Sequence, residues 1–117
     1  MSRRTRVNNE DKAPIFDYYW RLFGGDLPRP VPEHNFDKHL GRKHRFDWAW
    51  PDYRVAVEVD GGQFSKFGGR HSSDDDREKS NIAVSLRWFV FHFSPQQLER
   101  DPATCCAMVA TTIKDSM

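Results

Sequence analysis

The stretch Arg45-Phe46-Asp47-Trp48-Ala49-Trp50-Pro51-Asp52-Tyr53-Arg54-Val55-Ala56-Val57-Glu58-Val59-Asp60-Gly61-Gly62 constrains the fold more than any other part of the chain. Val55, Val57 and Val59 alternate with Ala56, Glu58 and Asp60, so a strand of period two turns the valines one way and both acids the other. Asp47 closes a preceding apolar alternation, and a turn on Pro51, Asp52 and Tyr53 would fold that segment back beside the next. Three carboxylates then converge at one sheet edge. Hard cations such as Mg2+ take oxygen ligands and need only one or two protein carboxylates, which Asp47 and Glu58 would supply. The competing reading has Glu58 and Asp60 covering the solvent face of an edge strand.

A chain of 117 residues has room for one domain with a real core and little space for an added recognition module, so residues 1–117 read as a single domain with a basic arm over 1–12 that carries Arg3, Arg4 and Arg6. Eighteen Lys plus Arg against 17 Asp plus Glu leave a formal charge of +1, which excludes the strongly basic class of nucleic-acid binder. The charge is nevertheless unevenly spread, because residues 38–45 hold Lys38, Arg42, Lys43, Arg45 and two histidines with no acid. The sequence lacks an apolar run near the ~20 residues of a membrane span, and its first residues lack the apolar core of a secretory signal, so a soluble, cytoplasmic protein is expected. Cys105 and Cys106 are adjacent, a spacing suited to neither an ordinary disulfide nor a CxxC zinc site, and read as reduced packing residues.

Ala13-Pro14 opens a helical pattern with Ile15, Phe16, Tyr19, Trp20 and Phe23 on one face and Gly24-Gly25 as a stop. Leu27 to Pro32, with three prolines, reads as an extended connector. Strands are expected near 33–39, 44–50 and 54–60, the first two joined at Gly41 so that the basic segment forms a hairpin tip able to follow a phosphate backbone. Ser72 or Ser73 would cap a second helix with Asp74, Asp75 and Asp76 in its first turn and Ile82, Ala83 and Leu86 inward. Residues 88–93 are apolar on both faces and predict a central strand. Ser94-Pro95-Gln96-Gln97 and Asp101-Pro102 are two further helix starts. The expected class is α/β or α+β, in the order α-β-β-β-α-β-α, with a mixed sheet flanked by helices.

The segments 45–51, 55–62, Gly69-Arg70-His71, Asp76-Arg77-Glu78-Lys79-Ser80-Asn81 and Arg87-Trp88-Phe89-Val90, taken in this order, resemble the PD-(D/E)XK nuclease superfamily over about residues 30–98. More narrowly, they are similar to small phage and bacterial endonuclease-like proteins related to the very-short-patch-repair endonuclease group. The resemblance implies a restriction-endonuclease-like core and Mg2+-dependent hydrolysis of DNA phosphodiesters, with Mn2+ able to substitute. It implies that Asp47, Glu58 and the backbone carbonyl of Val59 hold the cation, and that Glu33 completes the site from the amino-terminal side. The position two residues after the second acid, where the superfamily carries lysine, is Asp60. Lys79 on the following helix and Asp60 itself are the two candidates to orient or deprotonate the attacking water, and an ordinary surface lysine is the alternative for Lys79.

His71 is a candidate to protonate the leaving group or contact phosphate. The Gly61-Gly62 and Gly68-Gly69 pairs would let backbone amides approach a phosphate, or simply punctuate a loop. Trp48, Trp50 and Phe64 would stack on bases or, at strand spacing, pack the core. Lys38, Arg42, Lys43, Arg45 and Arg70 are the expected DNA contacts. So small a domain favours recognition of shape and backbone over a long sequence, hence branched DNA, and a phage-type Holliday junction resolvase would be a homodimer joined through the first or last helix. General or mismatch-type nicking, and a nuclease-like module that binds DNA without cutting it, are the alternatives.

Overall fold

The computed structural model describes residues 16–60 and 62–117, with side chains described for 16–60 and 74–117. Helix α1 covers 16–23, and a connector leads to β1 (Val31–Asn35). A three-residue helical turn, Lys38–Leu40, precedes β2 (Arg45–Trp50), and a second, Pro51–Tyr53, leads into β3 (Val55–Val59). Helix α2 (Gly62–Ser85) crosses to β4 (Phe89–Phe93), followed by α3 (Pro95–Arg100) and α4 (Pro102–Ser116). The protein is thus α+β, with one four-stranded mixed sheet in the order β1-β2-β3-β4. Its first two pairings are antiparallel and β3–β4 is parallel, as a strand–helix–strand crossover requires.

Two apolar clusters fill the space on either side of the sheet. Val55, Val57, Val59, Trp48, Trp50 and Phe93 face α1, α3 and α4, which contribute Phe16, Trp20, Leu98, Cys106, Val109 and Ile113. On the opposite face Phe46, Ala49 and Ala56 pack with Phe36, Trp88 and Ala83, the last from α2, with Ile82 and Leu86 at its margin. Both cysteines are free and buried, as their apolar setting predicts, and burial pushes the Cys106 thiol up to about 11. Trp48 and Trp50 are core residues, 7% and 3% exposed, and so are not platforms for exposed bases. The indole N–H groups of Trp20 and Trp50 both donate to the Pro28 carbonyl, at 3.0 and 2.7 Å, and so pin the proline-rich connector to the core.

Local chemistry accounts for the element ends. The α1 helix closes at Gly24, whose N–H donates to the Trp20 carbonyl, with Gly25 following at φ +64°. Phe23 is 42% exposed, so the buried stripe is narrower than the apolar pattern suggests; Ala13, Pro14, Ile15 and the basic arm lie outside the described residues. The β1–β2 connection turns at Gly41, φ +77°, as expected. A reciprocal capping box between Ser94 and Gln97 starts α3, and the Asp101 side chain accepts from the Thr104 N–H to start α4.

Three sequence expectations are corrected. Helix α2 begins at Gly62, not at Ser72 or Ser73, so Asp74, Asp75 and Asp76 lie well inside it and Gly68-Gly69 are helical rather than a loop cradling phosphate. Glycine disfavours a helix by only about 1 kcal/mol per residue, and here the helix runs through both. The β4 strand is at the sheet edge, not its centre, and its Phe89 is 58% exposed. Apolar residues on both faces of a strand report cover on both faces, which an edge strand in a three-layer fold also has. The interior positions belong to β2 and β3, and all five residues of β3 are buried because α2 covers the face carrying Ala56 and Glu58. Finally, the first strand is Val31–Asn35 rather than 33–39.

Among the described residues no helix is long and apolar enough to cross a membrane.

Candidate functional site

The site is built where the β2–β3 ladder opens. Regular pairing runs from Trp50↔Val55 to Trp48↔Val57 and ends there. Ala49 and Trp50 alternate between the two faces, but Phe46 joins the Ala49 side, so the strand turns over at Asp47. The partner strand is bent at the same level, since Glu33 has φ +51° and the register skips from Pro32↔Trp48 to His34↔Phe46. Side chains close the resulting gap. The Asp47 N–H donates to Glu58 Oε2 at 3.2 Å, and the Val59 N–H donates to Asp47 Oδ2 at 2.8 Å in place of a strand carbonyl. Backbone donors therefore hold the two carboxylates side by side.

Helix α2 brings Lys79 to them. Its Nζ lies 2.6 Å from Glu58 Oε1 and 5.7 Å from the centre of the Phe46 ring. The pair is largely shielded, with side-chain exposures of 22% for Lys79 and 12% for Glu58. Burial pushes the Glu58 carboxyl above its usual range, the nearby Asp47 charge adds to this, and Lys79 pulls it partly back. A cavity of about 210 Å³ opens onto this pair, lined also by Phe46, Ser80, Trp88 and His92.

His92 sits opposite Glu58 in the parallel β3–β4 register, and its Nδ1 lies 2.9 Å from Asp60 Oδ2. That hydrogen bond raises the His92 pKa, outweighing its partial burial. Sequence reasoning missed His92 because Phe89–Phe93 reads as an apolar strand; its signal lay in being the one polar residue there, at the parity that shares a face with Glu58. Glu58, Asp60 and His92 converge within 4.8 Å, as do His44, Asp75 and Glu78, while Asp47 is in neither set. Asp47 nevertheless adjoins Glu58 through its own amide.

Glu33 is exposed, and its carboxylate faces Arg45 at 3.7 Å, at the rim rather than beside Glu58. Arg42 pairs with Glu78 on α2, so two of the cations expected along DNA, Arg42 and Arg45, are matched by acids. Lys38 and Lys43 are exposed. Arg70 and His71 lie within the helical span Gly62–Ser85, but their side chains, like that of Phe64, are outside the described residues. Val59 contributes its N–H to Asp47.

A second network, unforeseen in the sequence, joins the β1–β2 connection to α2. The fully buried Asp37 accepts from Asn35 Nδ2 at 3.1 Å and from the His44 N–H at 3.1 Å, and its Oδ2 is 2.6 Å from His44 Nδ1. His44 Nε2 lies 3.1 Å from Asp75 Oδ1. Burial opposes a charged His44, but its hydrogen bonds to Asp37 and Asp75 prevail and the pKa is raised. With Arg42–Glu78 beside it, this network ties α2 to the connection at the residue next to Lys79.

The donor set is compatible with a divalent cation. Two adjacent carboxylates offer oxygen ligands, each with lone pairs beyond those its backbone donors use, and Glu58 is buried enough to gain from added positive charge. No protein-family model, no curated protein and no solved structure matches this chain.

Proposed function

We propose that the protein is a metal-dependent DNA endonuclease with a restriction-endonuclease-like core of the PD-(D/E)XK kind. The observation that carries this reading is the Lys79–Glu58 contact of 2.6 Å beside Asp47, which supplies from a helix the cation that Asp60 does not provide from the strand. An ordinary solvated surface lysine would have no reason to be drawn against a buried carboxylate.

Asp47 and Glu58 would hold Mg2+ or Mn2+, with the Val59 carbonyl as a third oxygen. A bound cation supplies Lewis-acid stabilisation of phosphate charge and a water of lowered pKa. Lys79 neutralises charge that develops on the phosphate oxygens, as a preorganised ammonium does without reorganising water. Asp60 holds His92 Nδ1, leaving Nε2 able to accept a proton from the attacking water or give one to the leaving oxygen. The reaction forms a phosphorus–oxygen bond from water, breaks one to the leaving sugar oxygen, and delivers a proton to that oxygen.

The preferred substrate in this reading is branched DNA of the Holliday junction type, cut by a homodimer in the cytoplasm, because contacts to backbone and shape need no base-edge reader. The test is cleavage of labelled four-way junction, duplex and single strand with Mg2+, with Mn2+ and with chelator. Metal-dependent paired nicks in the junction are expected. Asp47→Asn and Glu58→Gln should each lower the rate by at least about a hundredfold while leaving the fold intact, the loss expected when several kcal/mol of metal-assisted stabilisation disappear. Cleavage that persists in the double variant would overturn the assignment.

A further inference from the structure

Arg42 and Arg45 are paired with Glu78 and Glu33, so a different surface is the better candidate to hold a phosphate chain. An open groove of about 640 Å³ runs past His34, Asn35, Lys38, His39, Arg54 and Trp88, and no carboxylate lines it among the described residues. Its basic residues come from two sides. Lys38 and His39 are exposed in the turn before Gly41. Arg54 stands opposite with φ +56°, its Nη1 donating to the Leu86 carbonyl at 2.6 Å and its guanidinium 5.8 Å from the Trp88 ring centre. Held in this way, Arg54 keeps further N–H donors for a ligand without first having to be ordered.

The groove also has an aromatic wall. The His34 ring lies 5.7 Å from Trp88, and burial lowers the His34 pKa, so it faces the groove as a neutral ring. Trp88 lines both this groove and the cavity that holds Glu58, Lys79 and His92. A held Arg54 and an exposed Lys38 beside the His34 ring combine the two ingredients of sequence-tolerant single-strand binding, cations and a stacking surface. The groove is the size of a small-molecule pocket and suits a single strand, whereas a duplex presents a surface with a major groove about 12 Å wide.

We infer that this groove binds a single-stranded segment of nucleic acid, with phosphates against Lys38, His39 and Arg54 and a base on the half-buried His34 ring, which the buried Trp88 backs, and leads it past Trp88 to the Glu58–Lys79 cavity. The delivery to that cavity rests on the nuclease reading; the binding does not.

The test is fluorescence anisotropy of a labelled oligothymidylate of ~12 nucleotides, within the usual span of single-strand sites, measured in chelator so that nothing is cut. The Lys38→Glu/His39→Glu variant alters exposed turn residues and should weaken binding by at least about tenfold, flattening log K against log salt by about 0.7 for each phosphate no longer neutralised. Lys114→Glu, on the far helix α4, should change affinity by less than about twofold, the usual null for a charge outside the site. Equal affinity in wild type and the turn variant, tighter binding of blunt duplex than of single strand, or no oligonucleotide binding at low salt would each overturn the inference. The two readings fail separately. Groove-dependent binding with no cleavage of any DNA retires the nuclease and keeps the groove, while metal-dependent cleavage indifferent to the turn variant retires the groove and keeps the nuclease.

Discussion

Replacing Lys79 by Met tests the ion pair on which the site is built, because it keeps the length of the side chain and removes its charge. At 2.6 Å the Lys79–Glu58 attraction is about 6 kcal/mol for an effective dielectric of 20, most of it offset by the cost of removing both groups from water. Breaking a buried pair typically costs 3–5 kcal/mol, and since the Lys79 side chain is 22% exposed, a loss of about 2–4 kcal/mol is expected near neutral pH. The sign with pH follows from Glu58. Its folded pKa is raised above the ordinary 4.5, so the charged form is the costly one; without Lys79 it rises further. Stability of the variant should therefore approach that of wild type below about pH 4.5, where Glu58 is neutral in both, and fall behind as pH rises through the folded pKa. Urea unfolding followed by tryptophan emission, with unchanged m, reads this directly. Glu58→Gln in the Lys79→Met background should recover at least about half of the loss, the coupling expected of groups in direct contact. A loss below about 0.5 kcal/mol at neutral pH, the level of an ordinary surface substitution, or one equally large in acid, would refute the ion pair.

His44→Gln should cost about 2 kcal/mol, the scale of a hydrogen bond to a charged group, because Oδ2 of buried Asp37 loses the imidazole while Oδ1 keeps its donors. Since the folded His44 pKa is raised, its contribution is fully present below the unfolded value near 6.5 and is lost as pH climbs through the folded pKa; the wild type should lose stability across that window and the variant should not, as chemical denaturation at several pH values will show. Gly24→Ala should destabilise by about 1–3 kcal/mol, since a methyl group there would sit 2.5 Å from the ring of Trp20, which is itself packed in the core and has no room to yield. Thermal unfolding of that variant at an unchanged midpoint would contradict the packing around α1.

Much of this fold was legible because its signals are local. The valine alternation that makes β3, the Ser94 and Asp101 caps and the turn at Gly41 each depend on residues a few positions apart. The start of α2 was not legible, because serines and acids mimic a helix start when they lie inside a longer helix. Nor was the edge position of β4, since a strand's apolarity records how many layers cover it and not which strands flank it. At the site, Asp47, Glu58 and Lys79 could all be nominated in advance, whereas His92 was hidden in an aromatic strand.

Residue type and spacing alone settle which residues can bear charge chemistry and put Asp47 and Glu58 on adjacent strands. It takes the folded chain to set Lys79 against Glu58, to turn Asp60 toward His92, and to match Arg42 and Arg45 with acids. Separation along the chain is why: Lys79 stands 21 residues from Glu58 and Asp60 stands 32 from His92, so their meeting depends on the docking angle of α2 and the parallel register of β4. Those are set by packing of the Ala83 and Trp88 cluster against the sheet, an interaction that no periodicity within either segment encodes.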